Sequence, residues 1–416
     1  MDFLFADDKV YTGYRQDNGK ENDGRRGGIG GITATVSVEH IVNVSDYGVH
    51  LGNVKVCTEE GNRIAIRLKG SNKARNYQID LIFTGGTISM GENSSNHSLA
   101  PLDTKQVLSF IPELQMLHVN IASVSFSPLI DSSDIQPKNW IEIAHHIETH
   151  YNDFDGFVVL HGTDTMAYSA AALSFMLDGL TKPVIFTGSQ LPVGVLRSDA
   201  KENLITAIEL AAAKNEHGEA MVPEVALMFE GKLMRGNRTT KRNAEDFDAF
   251  ASFNYPELVR AGVHLKYYEH NIHREANNAQ LTVANHFDDN IVVLKMFPGI
   301  RPETVKAIYS IAGLRAVVLE TFGSGNAPTA QWLCDIISEA TASGIVTVNV
   351  TQCRAGSVEM GHYEASVNLI KAGVVSGHDM TIEAAVAKLM FLLGKYNSAE
   401  DVKREMAIPL RGEMTI

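Results

Sequence analysis

The amino-acid sequence predicts an α/β protein whose strands lie in parallel sheets. The clearest stretch is 155–166, where the apolar run 157–160 ends in the polar or small residues 161–165 and a helical stretch follows. A short apolar run of this kind is typical of a strand that is buried on both faces. The same layout recurs at 79–88, and strands alternate with helices again from residue 290. Because open α/β sheets bind ligands at the carboxyl ends of their strands, the residues after these strands are candidates for a site.

Composition and charge limit the classes of function. The chain has 416 residues, enough for two or three domains, and its 44% hydrophobic and 20% charged residues are ordinary for a globular protein. The formal net charge of −13 implies neither a nucleic acid nor an anionic membrane as partner. The three cysteines, Cys57, Cys334 and Cys353, are far apart, which favours a reducing compartment over a disulfide framework or a zinc site.

The location follows from two further features. No run approaches the roughly 18 apolar residues of a membrane helix. The N-terminus, MDFLFADDKV, has acidic residues where a signal peptide has basic ones. We therefore expect a cytoplasmic protein with no membrane partner.

Residues 1–76 differ from the rest and are predicted to form a separate N-terminal extension. The stretch 17–31 is rich in glycine and acidic residues, which is typical of a flexible loop, and it lacks the GxGxxG spacing of a dinucleotide site. Alternating apolar residues at 32–44, 49–56 and 63–68 predict strands, with a hairpin turn at 59–62. We expect a small β-rich or partly disordered unit of unknown role.

A first unit is predicted at 77–265. Its predicted strands are 79–83, 122–130, 157–160, 183–186 and 225–229, and its predicted helices are 138–151, 167–177 and 201–213. The first of these helices carries His145, His146 and His150. The last two have the i,i+4 spacing of a metal pair, but no third ligand is evident. We interpret the three histidines as a solvated helix face and predict no metal site.

A second unit is predicted at 290–416, after the polar stretch 266–289, which we interpret as an interdomain linker. Its predicted strands are 291–296, 316–319 and 345–350, and its predicted helices are 303–311, 329–342 and 381–394. The glycine-containing loop after the second of these strands also lacks the GxGxxG spacing. No cofactor is therefore predicted.

The loops carry motifs that resemble those of a known family. TGGTI at 84–88 and HGTDTM at 161–166 are similar to the two signatures of the L-asparaginase/glutaminase family, and RGNRTTK at 235–241 and NVTQC at 349–353 extend the resemblance. The similarity is greatest to the bacterial type I, cytoplasmic asparaginases. It implies a two-domain fold with a larger N-terminal and a smaller C-terminal parallel-sheet α/β domain. It also implies hydrolysis of L-asparagine to L-aspartate and ammonia, and a homodimer or homotetramer.

Amide hydrolysis needs a nucleophile, a group that takes its proton and a stabiliser for the oxyanion. The sequence has no GxSxG motif, and we interpret Cys353 as a buried structural cysteine. Thr87 follows Gly85 and Gly86, where backbone amides can approach a ligand closely. By resemblance, Thr87 is the nucleophile and forms an acyl-enzyme ester.

A second group consists of Thr163, Asp164 and Lys241. A lysine buried against a carboxylate can lose its proton near neutral pH if desolvation outweighs the pairing, and it could then activate a hydroxyl through Thr163. On its own Lys241 would be interpreted as a surface lysine, but its place in RGNRTTK matches the family's catalytic lysine. The alternative for Asp164 or Thr165 is the N-cap of the helix that follows.

The resemblance also implies which groups bind an amino-acid substrate. Asp131 and Asp164 match the positions that bind the α-ammonium group. Hydroxyl or backbone N–H donors near Ser132 and Ser133 match those that bind the α-carboxylate, and Thr163 is also predicted to bind the substrate. The alternative for DSSD is a cap of the following helix, and both roles can hold together.

One departure from the family pattern concerns the loop after TGGTI. Many members carry a tyrosine there, beside the nucleophile. The stretch 91–101 has none, and Leu99 takes that place. Tyr363 is a candidate from elsewhere in the chain, and the alternative is that it is a surface tyrosine.

A second departure concerns regulation. Thr351, Gln352 and Cys353 match the TQC triplet of an effector site at which some type I enzymes bind a second asparagine. The family pattern includes an arginine whose position is taken here by Glu320. A carboxylate repels the effector carboxylate that an arginine would bind. Arg354 could compensate, but we predict that this activation is lost.

Two other functions compete with the enzyme hypothesis. The archaeal tRNA-dependent amidotransferase uses an asparaginase-like subunit with an added N-terminal domain, which residues 1–76 superficially resemble. The continuous type I similarity and the lack of a basic tRNA surface argue against it. The other is an inactive amino-acid sensor, against which the intact Thr87, Thr163, Asp164 and Lys241 argue.

Overall fold

The computed structural model describes residues 11–12, 33–34, 55–59, 63–67, 77–92, 99–276, 279–361 and 364–416. In the N-terminal extension, β1 (Tyr11–Thr12) pairs antiparallel with β2 (Thr33–Ala34), and β3 (Lys55–Glu59) pairs antiparallel with β4 (Arg63–Arg67). The second pair is the predicted hairpin, with Glu59 opposite Arg63. Most other residues of the predicted strands 32–44 and 49–56 lie outside the described ranges.

The first unit contains one large sheet and several short strand pairs. Its strands are β5 (Tyr77–Gly85), β6 (Met90–Glu92), β7 (Leu99–Pro101), β8 (Val119–Ile130), β9 (Gly156–Leu160), β10 (Leu177–Asp178), β11 (Val184–Thr187), β12 (Val225–Phe229), β13 (Lys232–Arg235), β14 (Thr240–Lys241), β15 (Phe250–Ala251), β16 (Val259–Arg260) and β17 (Lys266–Tyr267). The order in the large sheet is β17-β16-β13-β12-β11-β9-β5-β8. Neighbouring strands from β12 to β8 are parallel.

The central strand β9 shows why its sequence is continuously apolar. Phe157 and Val159 point into one hydrophobic cluster, whereas Val158 and Leu160 point into another on the opposite face of the sheet. Successive side chains of a strand alternate between faces, so a strand covered on both sides needs apolar residues at every position. The helices that cover the two faces are α1 (Thr104–Ser109), α2 (Pro137–His150), α3 (Met166–Met176) and α4 (Ala200–Ala212).

Helix α2 differs from the sequence interpretation in two respects. His146 is buried, and its Nε2 lies 2.7 Å from Asp80 Oδ2. The prediction of a solvated face is therefore wrong for His146, because this side of the helix packs on β5. The helix start is also set locally, since Asn139 Oδ1 accepts a hydrogen bond from the Gln136 amide at 3.0 Å. The DSSD motif therefore does not cap this helix.

One edge of the large sheet is antiparallel. β12 turns directly into β13 through Glu230 and Gly231, whose φ angles are 48° and 70°. Positive φ at both central residues of a two-residue loop matches the twist of a β-hairpin, and glycine adopts it without strain. β16 and β17 extend this edge further. The first unit therefore has a mixed sheet.

The second unit is smaller. Its strands are β19 (Ile291–Lys295), β20 (Ala316–Thr321), β21 (Val346–Thr351) and β22 (Val375–Ser376), and its helices are α5 (Pro302–Tyr309), α6 (Gln331–Ala342), α7 (Glu364–Lys371), α8 (Ile382–Lys395) and α9 (Ala399–Met406). The sheet order is β19-β20-β21-β22, with parallel pairs throughout. The predicted α/β fold with a larger N-terminal and a smaller C-terminal domain is confirmed.

The predicted linker 266–289 is not featureless. It includes β17 and β18 (Thr282–Val283), and β18 pairs with β10 of the first unit. The Arg274 guanidinium donates to the carbonyls of Ala220 and Met221 at 2.7 and 2.8 Å. Much of the segment therefore packs on the first unit. In the described part of the chain, no helix combines the length and apolar character needed to cross a membrane.

The two units meet through α3 and α8, which pack against each other. Nearly all of α3 is buried, because one side faces the large sheet and the other faces α8. Lys388 of α8 and Glu413 form an ion pair at 2.7 Å with both side chains fully buried. Near the C-terminus, Glu413 and Met414 are therefore buried, whereas Thr415 and Ile416 are exposed.

We predict that a chain beginning at Tyr77 keeps this fold. Among the residues whose side chains the structure describes, the buried hydrophobic clusters begin at Ile79, and the extension lies near the sheet through β4 and the edge strand β8. Removing it should lower the melting temperature by no more than a few degrees, and circular dichroism and calorimetry would measure this. An insoluble or unfolded product, obtained while the full chain folds, would show that the extension is part of the core structure.

Candidate active site

The two signature loops meet at the carboxyl edge of the large sheet. β5 and β9 are neighbours, with Phe83 opposite Leu160, so the loops that follow them start side by side. Gly86 has a φ of 89°, and a Cβ atom there would lie 2.4 Å from Gly162 Cα. Only glycine allows the two backbones to come this close. Thr87 and Thr163 each follow one of these two touching glycines.

The loop after β8 joins the same place. A Cβ atom on Gly85 would lie 2.1 Å from the Ile130 carbonyl oxygen, and one on Gly162 would lie 2.5 Å from Ser132 Oγ. Thr165 Oγ1 donates a hydrogen bond to the Ser132 carbonyl at 2.6 Å. Thr165 stands at the N-cap position of α3, but its hydroxyl binds the neighbouring loop and does not cap the helix.

The DSSD loop presents a carboxylate and two hydroxyls. Asp131 is exposed, and its Oδ1 accepts hydrogen bonds from the Ser133 amide at 2.9 Å and the Ser133 hydroxyl at 2.8 Å. These bonds lower the pKa of Asp131 because they stabilise its charged form. Asp131 is therefore an ionised group suited to a cationic ligand, and Ser132 is buried behind it.

Lys241 reaches this edge from β14. Its Nζ donates to Thr163 Oγ1 at 2.8 Å and to Asp164 Oδ1 at 2.7 Å. The lysine side chain is 18% exposed, whereas that of Asp164 is 67% exposed. The structure thus brings Lys241 together with Thr163 and Asp164, which precede it in sequence by 78 and 77 residues. Asp164 binds the lysine and is not the helix cap considered as its alternative.

Gln190 is a member of this group that the sequence interpretation missed. Its Nε2 donates to the carbonyls of Ala244 and Asp246, both at 3.1 Å, and this fixes the orientation of the amide. Its Oε1 therefore faces Thr163 and accepts the Thr163 hydroxyl at 3.1 Å. Gln190 follows β11, which is the next parallel strand beside β9, so the rule that selected the other loops would also have selected this one.

Comparisons with known proteins agree with this geometry. Residues 78–273 match the model of the asparaginase N-terminal domain, and residues 290–406 match that of the glutaminase/asparaginase C-terminal domain. L-asparaginase 1 of Escherichia coli K12 is 41% identical over 338 residues, which are 81% of this chain and 98% of that protein. The chain belongs to the asparaginase family.

Further relatives show the extent of the asparaginase similarity. The crystal structure of L-asparaginase I from Vibrio cholerae matches with a TM-score of 0.75 and 41% identity, over 82% of this chain and all of that one. A glutamyl-tRNA(Gln) amidotransferase subunit of Pyrococcus horikoshii is 33% identical over 349 residues, which are 81% of this chain and 76% of that protein. The similarity is therefore greater to the bacterial asparaginases than to the amidotransferase protein.

Behind the loops of this asparaginase-family site, a buried chain of hydrogen bonds fixes His161. Its Nδ1 lies 2.7 Å from the Gly162 carbonyl oxygen, which can only accept, so Nδ1 carries the proton. Nε2 therefore accepts the Ser169 hydroxyl at 2.9 Å, and Ser169 Oγ accepts the Trp140 indole N–H at 2.8 Å. Burial lowers the pKa of His161 to about 4, so the ring is neutral at physiological pH. This chain ties the second signature loop to α2 and α3.

The residues predicted for an effector site lie in the second unit. Thr351 Oγ1 donates to the Gly323 carbonyl at 2.6 Å. Gln352 Nε2 donates to the carbonyls of Met296 and Glu320 at 2.6 and 2.9 Å. The Thr351 hydroxyl and the Gln352 amide are thus engaged with backbone groups. Cys353 is exposed, so our interpretation of it as a buried structural cysteine is wrong.

Two of the residues named for this region connect to other parts of the molecule. The Glu320 side chain is 15% exposed and lies 3.9 Å from Lys295 Nζ, at the end of β20. Arg354 Nη1 donates to the Arg242 carbonyl at 3.1 Å, next to Lys241. Residues 93–98 and Tyr363 lie outside the described residues, so the group that replaces the family's loop tyrosine stays a prediction.

We predict that Gly86→Ala disrupts this site far more than Gly344→Ala does. Both glycines have a φ of 89°, but a Cβ at Gly344 meets nothing within 4 Å. The two variants therefore share the backbone strain, about 1–3 kcal/mol, and differ in the contact with Gly162. Alanine at position 86 should separate the loops and lower kcat/KM by about 100-fold or more. Steady-state kinetics and melting curves would measure this, and equal losses in both variants would contradict it.

Proposed function

We propose that the protein is an L-asparaginase, which hydrolyses the side-chain amide of L-asparagine to L-aspartate and ammonia. The main support is the hydrogen-bonded group of Lys241, Thr163 and Asp164, which lies beside the loop of Thr87. The 41% identity to L-asparaginase 1 over nearly its whole length supports the substrate. The roles given below to individual residues belong to this proposal.

Thr87 is the nucleophile in this mechanism. Its hydroxyl oxygen attacks the amide carbon of asparagine, the hydroxyl proton moves to the protein, and a tetrahedral oxyanion forms. The backbone amides that follow Gly85 and Gly86 are suited to stabilise that charge. When the C–N bond breaks, the nitrogen takes up a proton and leaves as ammonia, and an aspartyl ester remains on Thr87. Water then attacks the ester and releases L-aspartate.

Lys241 and Thr163 move the proton. Lys241 Nζ donates to Thr163 Oγ1 and to Asp164 Oδ1. A substrate ammonium that binds Asp164 competes with Lys241 for this carboxylate. In this mechanism the Thr87 proton passes through the Thr163 hydroxyl to the Lys241 amine.

The charged groups of the substrate have matching partners. Asp131, whose pKa is lowered by its bonds to Ser133, and Asp164 bind the α-ammonium. As the family resemblance implies, hydroxyl or backbone N–H donors near Ser132 and Ser133 bind the α-carboxylate in this proposal. This arrangement leaves the side-chain amide directed towards Thr87 and Thr163. A ligand without both charges would lose the contacts that orient it.

The alternative, a subunit of a tRNA-dependent amidotransferase, is less supported. The P. horikoshii protein is 33% identical, compared with 41% for the E. coli enzyme, and the chain covers less of its length. Release of ammonia from asparagine by the purified protein, without tRNA or partner, would support the hydrolase. The cytoplasmic location and the homodimeric or homotetrameric state stay predictions, which fractionation and light scattering would test.

We predict that Thr87→Ala and Lys241→Ala each lower kcat by about three orders of magnitude or more while the protein stays folded. Each variant removes a group that takes part in forming the acyl-enzyme. Thr87→Ser should keep measurable activity, because it retains a hydroxyl on the same carbon. Ammonia release and circular dichroism would be measured together. Near-normal turnover in a folded alanine variant would remove that residue from the mechanism.

We also predict near-hyperbolic kinetics with L-asparagine. Glu320 stands where an effector-binding arginine is expected, and the Thr351 hydroxyl and Gln352 amide are engaged with backbone carbonyls. Cooperativity requires an effector that binds one state more tightly than another. Initial rates over a wide range of asparagine concentration would give the Hill coefficient. A sigmoidal curve that Thr351→Val or Cys353→Ala abolishes would show that the effector site operates without the arginine.

A further inference from the structure

The segment that carries Lys241 is held in place by the end of the chain. Arg238 Nε donates to the Gly412 carbonyl at 2.8 Å, and its Nη2 donates to Thr415 Oγ1 at 3.0 Å. Its Nη1 forms an ion pair with Asp379 Oδ2 at 2.9 Å. The Arg238 side chain is only 2% exposed, so its donors depend on these acceptors rather than on water.

Neighbouring residues of the same segment bind the same stretch of the tail. Asn237 Nδ2 donates to the Arg411 carbonyl at 3.0 Å. Gly412 has a φ of 68°, and a Cβ atom there would lie 2.3 Å from Arg235 Nη1. The Gly412 carbonyl therefore lies against two guanidinium groups, and the absence of a Cβ at residue 412 leaves room for the Arg235 side chain.

The tail has further support from Glu413 and from Asp379, the second of which also pairs with Arg238. The Glu413 carboxylate accepts the amides of Leu410 at 3.0 Å and Arg411 at 2.7 Å, and it pairs with the fully buried Lys388. The Thr415 amide donates to Asp379 Oδ1 at 2.7 Å. These bonds fix the path of residues 410–415. The Gly412 carbonyl and the Thr415 hydroxyl are consequently acceptors in fixed positions.

The residues on both sides of Lys241 are also held by the second unit. Thr240 Oγ1 donates to Glu383 Oε1 at 2.6 Å, and Arg354 Nη1 donates to the Arg242 carbonyl at 3.1 Å. Lys241 itself is directed away from these contacts, towards Thr163 and Asp164 in the first unit. The lysine therefore stands on a strand that the second unit holds and acts on groups that the first unit supplies.

We propose that the C-terminal segment 411–415 positions Lys241 through Arg238, so that Arg238 and Thr415 are positioning residues for the reaction. The inference rests on the catalytic role proposed for Lys241. A misplacement of about 1 Å at a catalytic group can cost about 100-fold in rate. Arg238 lies three residues before the lysine, and its buried guanidinium cannot move without losing its acceptors. The tail thus sets the position of the amine without touching the substrate.

The test uses Arg238→Lys and Thr415→Val in the full chain. Lysine cannot reproduce the forked donors of arginine, and valine removes the hydroxyl acceptor at nearly constant shape. The matched control is Thr341→Val in α6, which also removes one hydroxyl hydrogen bond, from Thr341 Oγ1 to the Ala372 carbonyl at 2.8 Å. The control bond lies within the second unit and away from the segment that carries Lys241.

The first measurement is independent of activity. Acetic anhydride labels free amines, and peptide mass spectrometry would report how fast Lys241 reacts in each variant. We expect labelling several-fold faster than wild type in Arg238→Lys and Thr415→Val, because the amine leaves Thr163 and Asp164, and wild-type labelling in Thr341→Val. Wild-type labelling in both tail variants would overturn the inference, whether or not the protein hydrolyses asparagine.

The second measurement is the steady-state kinetics with L-asparagine. We expect kcat to fall about tenfold or more in both tail variants, with KM within about twofold of wild type and melting temperatures close to that of the control. An equal loss of kcat in Thr341→Val would reveal a general stability effect and overturn the inference. Faster labelling with unchanged kcat would contradict the catalytic role of Lys241, and the positioning role with it.

Discussion

The contact between the backbones of Gly86 and Gly162 is the constraint on which the site depends. Parallel pairing of β5 and β9 brings the two loops to the same edge, but only the absence of a Cβ lets them touch. Because each glycine is followed by a threonine, the contact places Thr87 and Thr163 on adjacent backbones. The DSSD loop joins through Ser132, which packs on Gly162. The nucleophile, its partner and the substrate-binding loop of the proposal therefore share one small volume.

Lys241 reaches the site in a different way from the loop residues. It does not come from the parallel strands but from a short segment beyond the antiparallel edge, whose buried guanidinium groups need acceptors. Carbonyls and carboxylates of the second unit supply many of these acceptors, since a buried charged donor without a partner is strongly destabilising. The second unit thereby takes part in building the site although the proposed reacting groups all come from the first.

Much of the fold could be predicted because apolar runs and helix signals agree locally. The strand 225–229 was placed correctly, and 157–160 and 291–296 were each within one residue of the structure. β13 was missed because Lys232–Arg235 has no clear alternation, although Glu230 and Gly231 form a recognisable hairpin turn. Sequence patterns also gave no indication that His146 packs on Asp80, since burial of a polar side chain depends on a partner far away in the chain.

The site itself could be predicted in part. The loops of Thr87, Thr163 and Asp131 were found from their position after apolar strands, which is a local property. The contact of Lys241 with Thr163 joins residues 78 apart, and only the family resemblance indicated it. Gln190 also follows an apolar parallel strand, so its position was predictable in the same way, although it is not among the predicted site residues. The support of Arg238 by Gly412 and Thr415 could not be predicted, because no local pattern links a guanidinium to carbonyls 174 residues away.

The neutral ring of His161 gives the site an asymmetric response to pH. With a folded-state pKa of about 4 and an unfolded value near 6.5, the unfolded chain takes up the proton first as pH falls. As pH falls from about 6.5 towards 4, protonation of His161 in the unfolded chain lowers the free energy of unfolding by about 3 kcal/mol. Above about pH 6.5 the ring is neutral in both states, so alkaline conditions do not change this contribution. A protonated Nε2 could no longer accept the Ser169 hydroxyl. The buried hydrogen-bonded chain behind the signature loops is therefore weakened by acid and left intact by alkali.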